Sequence, residues 1–82
     1  MVKFLTDQKV EIDIHNMKSD EAKEYLEKFM NTVNGSIKEL IIIHGYTSGT
    51  VLQQMVRNKL KHKKIKNKMI SMNQGITTLF LA

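Results

Sequence analysis

Apolar and polar residues alternate along this chain with two different periods, and the places where the period changes divide it into elements. Val10 to His15 alternates strictly. A period of two marks a strand with one solvated face, and it sets Asp13 and His15 on the side opposite Ile12 and Ile14. The period then becomes helical, with Ala22, Tyr25, Leu26, Phe29, Met30 and Val33 recurring at three- and four-residue spacing. Ser19 is placed to cap that helix, Asp20 and Glu21 complement its dipole, and Asn34-Gly35 ends it. Leu40-Ile41-Ile42-Ile43 is the densest apolar run and predicts a strand buried on both faces. Val51, Leu52, Met55, Val56 and Leu60 form a second helical stripe. Lys68 to Asn73 reads as a strand of mixed polarity, Asn73-Gln74-Gly75 as a turn, and Ile76 to Leu81 as a final, mostly apolar strand. Ahead of them all, Val2-Lys3-Phe4-Leu5 is a short arm or an edge strand.

The order is β-α-β-α-β-β, which suits an α/β two-layer sandwich with a four-stranded mixed sheet. Both crossovers are expected to be right-handed. The strands at Ile41 and Leu79 are the most apolar and belong in the centre; those at Ile12 and Ile70 carry the charge that guards an edge. The last strand therefore inserts between the second and third, giving the order 1-2-4-3. The 82 residues form a single domain, with residues 1–8 as an N-terminal arm.

Composition narrows the class. There is no cysteine, so neither disulfides nor thiolate metal sites are expected. No apolar run approaches membrane-spanning length, and a cytoplasmic protein without membrane contact is the expectation. Charge is divided sharply. Through Glu39 six lysines face eight acids, a net of −2; from Leu40 onward seven basic residues meet no acid, a net of +7. Those seven, Arg57, Lys59, Lys61, Lys63, Lys64, Lys66 and Lys68, fall within twelve positions. Such a block either meets a polyanion or is simply a solvated face.

If the first two strands are parallel neighbours, His15 and His44 share one carboxyl edge, where open α/β sheets bind ligands. His44 opens the loop Gly45-Tyr46-Thr47-Ser48-Gly49-Thr50, which runs into the second helix. A Gly/Ser/Thr loop at a helix start suits a phosphate, though a plain βα turn has the same composition. Tyr46 can stack on a base or pack on the loop. One Asp and separated histidines do not make a metal cage, and Ser48 has no nucleophile elbow around it. His62, inside the lysine run, reads as a surface residue.

Three segments carry a resemblance to the small MutS-related domain family, Smr. Ile12-Asp13-Ile14-His15-Asn16 resembles the family's Asp-Leu-His-Gly strand end. Ile43-His44-Gly45-Tyr46-Thr47-Ser48-Gly49-Thr50-Val51-Leu52 resembles its His-Gly strand, glycine loop and helix, and Gly75-Ile76-Thr77-Thr78-Leu79 its Gly-Val-Thr strand. The chain is most similar to small stand-alone members with a His-Gly-Tyr loop. It departs from the pattern at Asn16, which replaces Gly, and at Thr47, which replaces the middle glycine of the loop. Gln53 or Gln54 stands where the family often has Arg.

The resemblance implies a fold like the C-terminal domain of translation initiation factor three. It also implies nucleic-acid binding, RNA favoured over DNA, and endonuclease activity as a further expectation. Asp13, His15 and His44 are then the catalytic candidates. Gly45, Tyr46, Thr47, Ser48, Gly49, Thr50, Arg57, Lys61, Lys63, Lys64 and Lys66 are the nucleic-acid-binding ones. No metal site or cofactor is expected, except Mg²⁺ if the domain cuts. The expected partner is nucleic acid, RNA favoured, with the ribosome as a further candidate and the chain a monomer. The alternatives are a non-catalytic RNA- or ribosome-binding module and, behind it, a protein-interaction domain.

Overall fold

The computed structural model describes residues 1–46 and 49–82. Its elements are β1 (Val2–Phe4), β2 (Lys9–Asp13), α1 (Ser19–Thr32), β3 (Glu39–Ile43), α2 (Val51–Gln54), a π-helical continuation of α2 over Met55–Lys59, β4 (Ile65–Ile70) and β5 (Ile76–Leu81). The sheet order is β1-β2-β3-β5-β4, with β2 and β3 parallel and the other neighbours antiparallel.

The sheet is mixed, as expected, but it has five strands rather than four. The addition is the N-terminal segment, in which Val2 lies opposite Ile12 and Phe4 opposite Val10. Thr6 builds the connecting turn: its Oγ1 accepts the backbone N–H groups of Gln8 and Lys9 at 3.1 and 3.0 Å. The alternating strand is therefore covered on its outer side and is not an edge. β4 also begins at Ile65 rather than Lys68, through a register shift between Ile65 and Asn67. That bulge turns both Ile65 and Lys68 toward the helices.

Both helices lie on one face. Ala22, Leu26 and Met30 from α1 and Met55, Val56 and Leu60 from the second helical segment bury against Val10, Ile12, Ile14, Leu40, Ile42, Leu79 and Leu81. Two helices cover only one side of the sheet. Ile41 and Ile43 consequently face the open side, half-buried between Glu11 and Thr78 and between Asp13 and Ile76, instead of being buried on both faces. The helix ends differ from expectation too. Ser19 is the first helical residue, after an N-cap Lys18 that makes no side-chain capping bond. Asn34 closes the far end by accepting the Ser36 N–H on its Oδ1 at 2.9 Å.

The second helix changes pitch midway. Leu60 N–H donates to Met55 O, five residues back, at 2.7 Å. Lys68 Nζ covers the carbonyls left at that end, donating to Val56 O, Arg57 O and Leu60 O at 2.8, 3.3 and 2.6 Å. The connectivity sets the two ends of the sheet apart. β2 and β3 finish, and β5 starts, at the edge where Ile43 pairs with Ile76. The helix runs back from there, so β4 starts at the opposite edge, where Ile65 pairs with Leu81.

Candidate nucleic-acid interface

Asp13 is the last residue of β2, and the chain turns through His15 and Asn16 before α1. Asp13 Oδ1 accepts both the backbone N–H of His15, at 3.0 Å, and the ring Nδ1–H, at 2.5 Å. Because a carboxylate only accepts, the pair assigns the imidazole proton to Nδ1 and leaves Nε2 as the basic nitrogen. Nε2 has no hydrogen-bond partner among the described residues, and half of the His15 side chain is exposed. Burial would raise the Asp13 carboxyl, but the hydrogen bonds from the His15 ring and backbone outweigh it and hold the pKa below its ordinary value.

His44 arrives at the same edge, since Ile14 N–H donates to Ile43 O at 2.9 Å across the parallel pair. Its ring, however, turns inward, and the residue is only 3 % exposed. Nδ1 donates to Gly45 O at 2.9 Å, and Nε2 accepts from Thr77 Oγ1 at 2.8 Å. Thr77 Oγ1 in turn accepts the Arg57 Nε–H at 2.8 Å, while Arg57 Nη2 donates to Ile76 O at 3.2 Å. Burial lowers the His44 pKa; the Arg57 charge acts the same way, against the opposing bond to Gly45. Of the three residues expected to cleave, then, His44 has neither nitrogen free for a substrate. It braces the loop from below.

The loop starts at Gly45 with φ of +72° and reaches Gly49 at +124°, both in backbone territory that favours glycine. Gly75 backs Gly45 closely: its carbonyl accepts the N–H groups of His44 and Gly45 at 2.9 and 3.0 Å, and a Cβ at Gly75 would stand 3.3 Å from Gly45 Cα. Gly49 N–H closes the loop by donating to Tyr46 O at 3.1 Å. Thr47 and Ser48 lie outside the described residues. His15, Met17, Gly45, Tyr46, Gly49, Val51 and Leu52 line an open cleft of about 260 Å³, to which Asn16 and His44 also contribute. Tyr46 is 47 % exposed at its rim. Asn16 is not left-handed, so it fills the family's glycine position without strain. The α-helical part of the second helix is four residues long, and Thr50 makes no side-chain cap at its start.

The basic block divides. Arg57 is spent largely inside the fold, on Thr77 and Ile76. Lys68 is spent on helix carbonyls, with its pKa held down by burial and by Lys61. Lys61, Lys63 and Lys66 are exposed and Lys64 half-buried, but they stand at the β4 start, across the sheet from the cleft. β5 spans the two edges with six residues, roughly 17 Å of strand. His62 is not a free surface group: its Nε2 donates to Asn31 Oδ1 at 2.7 Å and its Nδ1 accepts the Lys64 N–H at 3.1 Å.

Thr77 is the residue that pattern reading passed over. Its signal was present, since it shares the inward phase of Leu79 and Leu81, and a hydroxyl at such a position requires a polar partner. Among the described residues no group of three or more His, Asp or Glu side chains is placed to hold a metal ion, and no helix is long and apolar enough to cross a membrane.

Residues 12–75 match the family model described as Smr domain. Nothing matches this chain among curated proteins or solved structures.

Proposed function

We propose that this chain, which belongs to the Smr domain family, binds nucleic acid at the His15 cleft and favours RNA, which it is equipped to cut. Nucleic-acid binding and endonuclease activity are what the family is known for. The observation that carries the reading is the Asp13-held imidazole, whose free Nε2 stands beside a glycine loop and an exposed tyrosine.

One free base favours RNA because RNA brings its own nucleophile. In this reading His15 Nε2 takes the proton of a 2′-hydroxyl. The oxygen attacks the adjacent phosphorus, the P–O5′ bond breaks, and the departing 5′-oxygen takes a proton from water. The products are a 2′,3′-cyclic phosphate and a 5′-hydroxyl. Asp13 fixes the tautomer and stabilises the imidazolium that forms. DNA offers no such hydroxyl and requires an activated water instead. If the reaction needs Mg²⁺, Asp13 Oδ2 is the carboxylate oxygen left to bind it.

One observation favours a second reading, a module that binds RNA, including the RNA of a ribosome, without cutting it. The bonded ring of His44 supplies no second imidazole to act as the acid. End-labelled structured RNA, single-stranded RNA and DNA, incubated with and without Mg²⁺, separate the two. Cleavage that ends in cyclic phosphate and disappears in His15→Ala supports the first reading. A mobility shift with intact RNA supports the second. No shift with any nucleic acid overturns both.

A further inference from the structure

We infer that the outer side of α2 and its π-helical continuation is the track on which a single nucleic-acid strand crosses the domain, from the His15 cleft to the Lys61–Lys66 run. The inference rests on the nucleic-acid reading above and adds the path. The two surfaces occupy opposite sheet edges, so a strand that uses both must cross either the open sheet face or the helix.

The helix is continuous with both ends. Val51 and Leu52 line the cleft, while Arg57, Asn58 and Lys61 line a second cavity of about 370 Å³ beside the lysine run. Val51, Gln54, Asn58 and Lys61 are all exposed; the first three follow one another along the helix at three- and four-residue spacing, and Lys61 stands just past its end at Leu60. No acid occurs from Leu40 to the last residue, so the segment itself carries no charge that repels phosphate. The sheet route differs: Glu11, Asp13 and Glu39 occupy its open face among Ile41, Ile43 and Phe80, against the lysines Lys3 and Lys9, of which Lys9 is already paired with Glu39 at 3.9 Å. A helix C-terminus normally carries partial negative charge. Here Lys68 Nζ donates to three of the carbonyls at that end, which removes the repulsion where the strand would pass to the lysines. Exposed Tyr46 at the cleft end selects for unpaired bases, because a stacked duplex hides their faces.

The nine residues from Val51 to Lys59 span roughly 13 Å. At the roughly 3.4 Å per nucleotide of a stacked strand, no more than about four nucleotides lie over the helix. A three-nucleotide strand therefore reaches one end only, whereas a twelve-nucleotide strand reaches both.

Fluorescence anisotropy with labelled single-stranded RNA and DNA of three and twelve nucleotides tests this. Gln54→Glu/Asn58→Glu puts two charges on the track. Asn67→Glu/Met69→Glu puts the same two charges on exposed positions of the open sheet face, and circular dichroism checks that both variants fold. The expected result is that the wild type binds the twelve-mer at least tenfold more tightly than the three-mer. The helix variant should lose at least tenfold on the twelve-mer and little on the three-mer, with the sheet variant within about threefold of wild type. Equal losses in the two variants, or the larger loss in the sheet variant, overturn the track while leaving nucleic-acid binding intact. A wild type that binds neither length overturns the binding reading and the track with it.

Discussion

Thr77 Oγ1 lies 2.8 Å from His44 Nε2 and accepts the Nε–H of Arg57 at the same distance. A hydroxyl that receives a guanidinium proton has its own proton to give. The arrangement therefore holds His44 neutral, with its proton on Nδ1 and directed to Gly45 O. Two histidines reach one sheet edge and differ in their bonding: His15 keeps Nε2 without a partner among the described residues, and His44 is a strut under the glycine loop.

Replacing Thr77 by valine keeps the shape and removes the hydroxyl. It leaves the Arg57 Nε–H and His44 Nε2 without a partner in the interior, at a cost of about 1–3 kcal/mol. The urea midpoint of Thr77→Val should drop accordingly, while Thr77→Ser stays near wild type. Equal midpoints for the two variants would mean that the chain of bonds contributes nothing.

His44 also gives a pH signature. Burial, aided by Arg57, lowers its folded pKa from the ordinary 6.5. Below that value the unfolded chain binds the proton more readily than the folded one, so stability falls as pH falls through this window. His44→Gln should flatten the decline. Asp13, also lowered on folding, acts in a separate range. Its contribution is present above its ordinary 3.8 and disappears only as pH drops through the lower folded value. Urea titrations between about pH 7.5 and pH 5 check the first window, and parallel curves for wild type and His44→Gln would refute the assignment.

Gly49 has φ of +124°, with nothing among the described residues within 4 Å of an added Cβ. A β-branched residue there is strained by backbone alone. Gly49→Val should keep its fold, because the loop lies outside the core, and lose nucleic-acid binding. At Gly45 a Cβ would sit 3.6 Å from His15 Cβ, so Gly45→Ala carries about 1–2 kcal/mol of left-handed strain with no clash. A Gly49→Val protein that binds normally would reduce the loop to a connector.

The lysines separate by role. If Lys61, Lys63, Lys64 and Lys66 each neutralise one phosphate of a single strand, they account for about 3 units of the log–log salt slope. Replacing all four with serine should remove that share. Lys68→Met should instead lower stability, since three carbonyls lose their donor, and leave the slope alone. A quadruple variant with an unaltered slope would take the run out of the interface.

Much of this site was legible from periodicity, including part that was passed over. Alternation correctly set Asp13 and His15 on the solvent side of Ile12 and Ile14, and the parallel pairing brought His44 beside them. The same period puts His44 in phase with Leu40 and Ile42, hence inward, as Thr77 is with Leu79 and Leu81. The chemistry suggested by the His-Gly motif obscured that phase. The separation of the lysines from the cleft followed from the chain order as well, because a helix that starts at one sheet edge ends at the other. Three features had no such signal. Val2–Phe4, readable as a short arm or an edge strand, is too short to show a period, and only its pairing with β2 decides for the edge strand. The π-helical turn depends on how Leu60 and Lys68 close the helix end. The inward turn of Lys68 depends on a one-residue bulge that a sequence pattern does not carry.

The division between the two histidines can be read directly from the imidazole ¹⁵N resonances of the protein, free and with a twelve-nucleotide RNA. The account predicts that His44 remains in the neutral Nδ1–H form and barely moves when RNA is added, while His15 Nε2 shifts. It would be contradicted by a His44 ring that gains a proton near neutral pH and responds to RNA while His15 stays still.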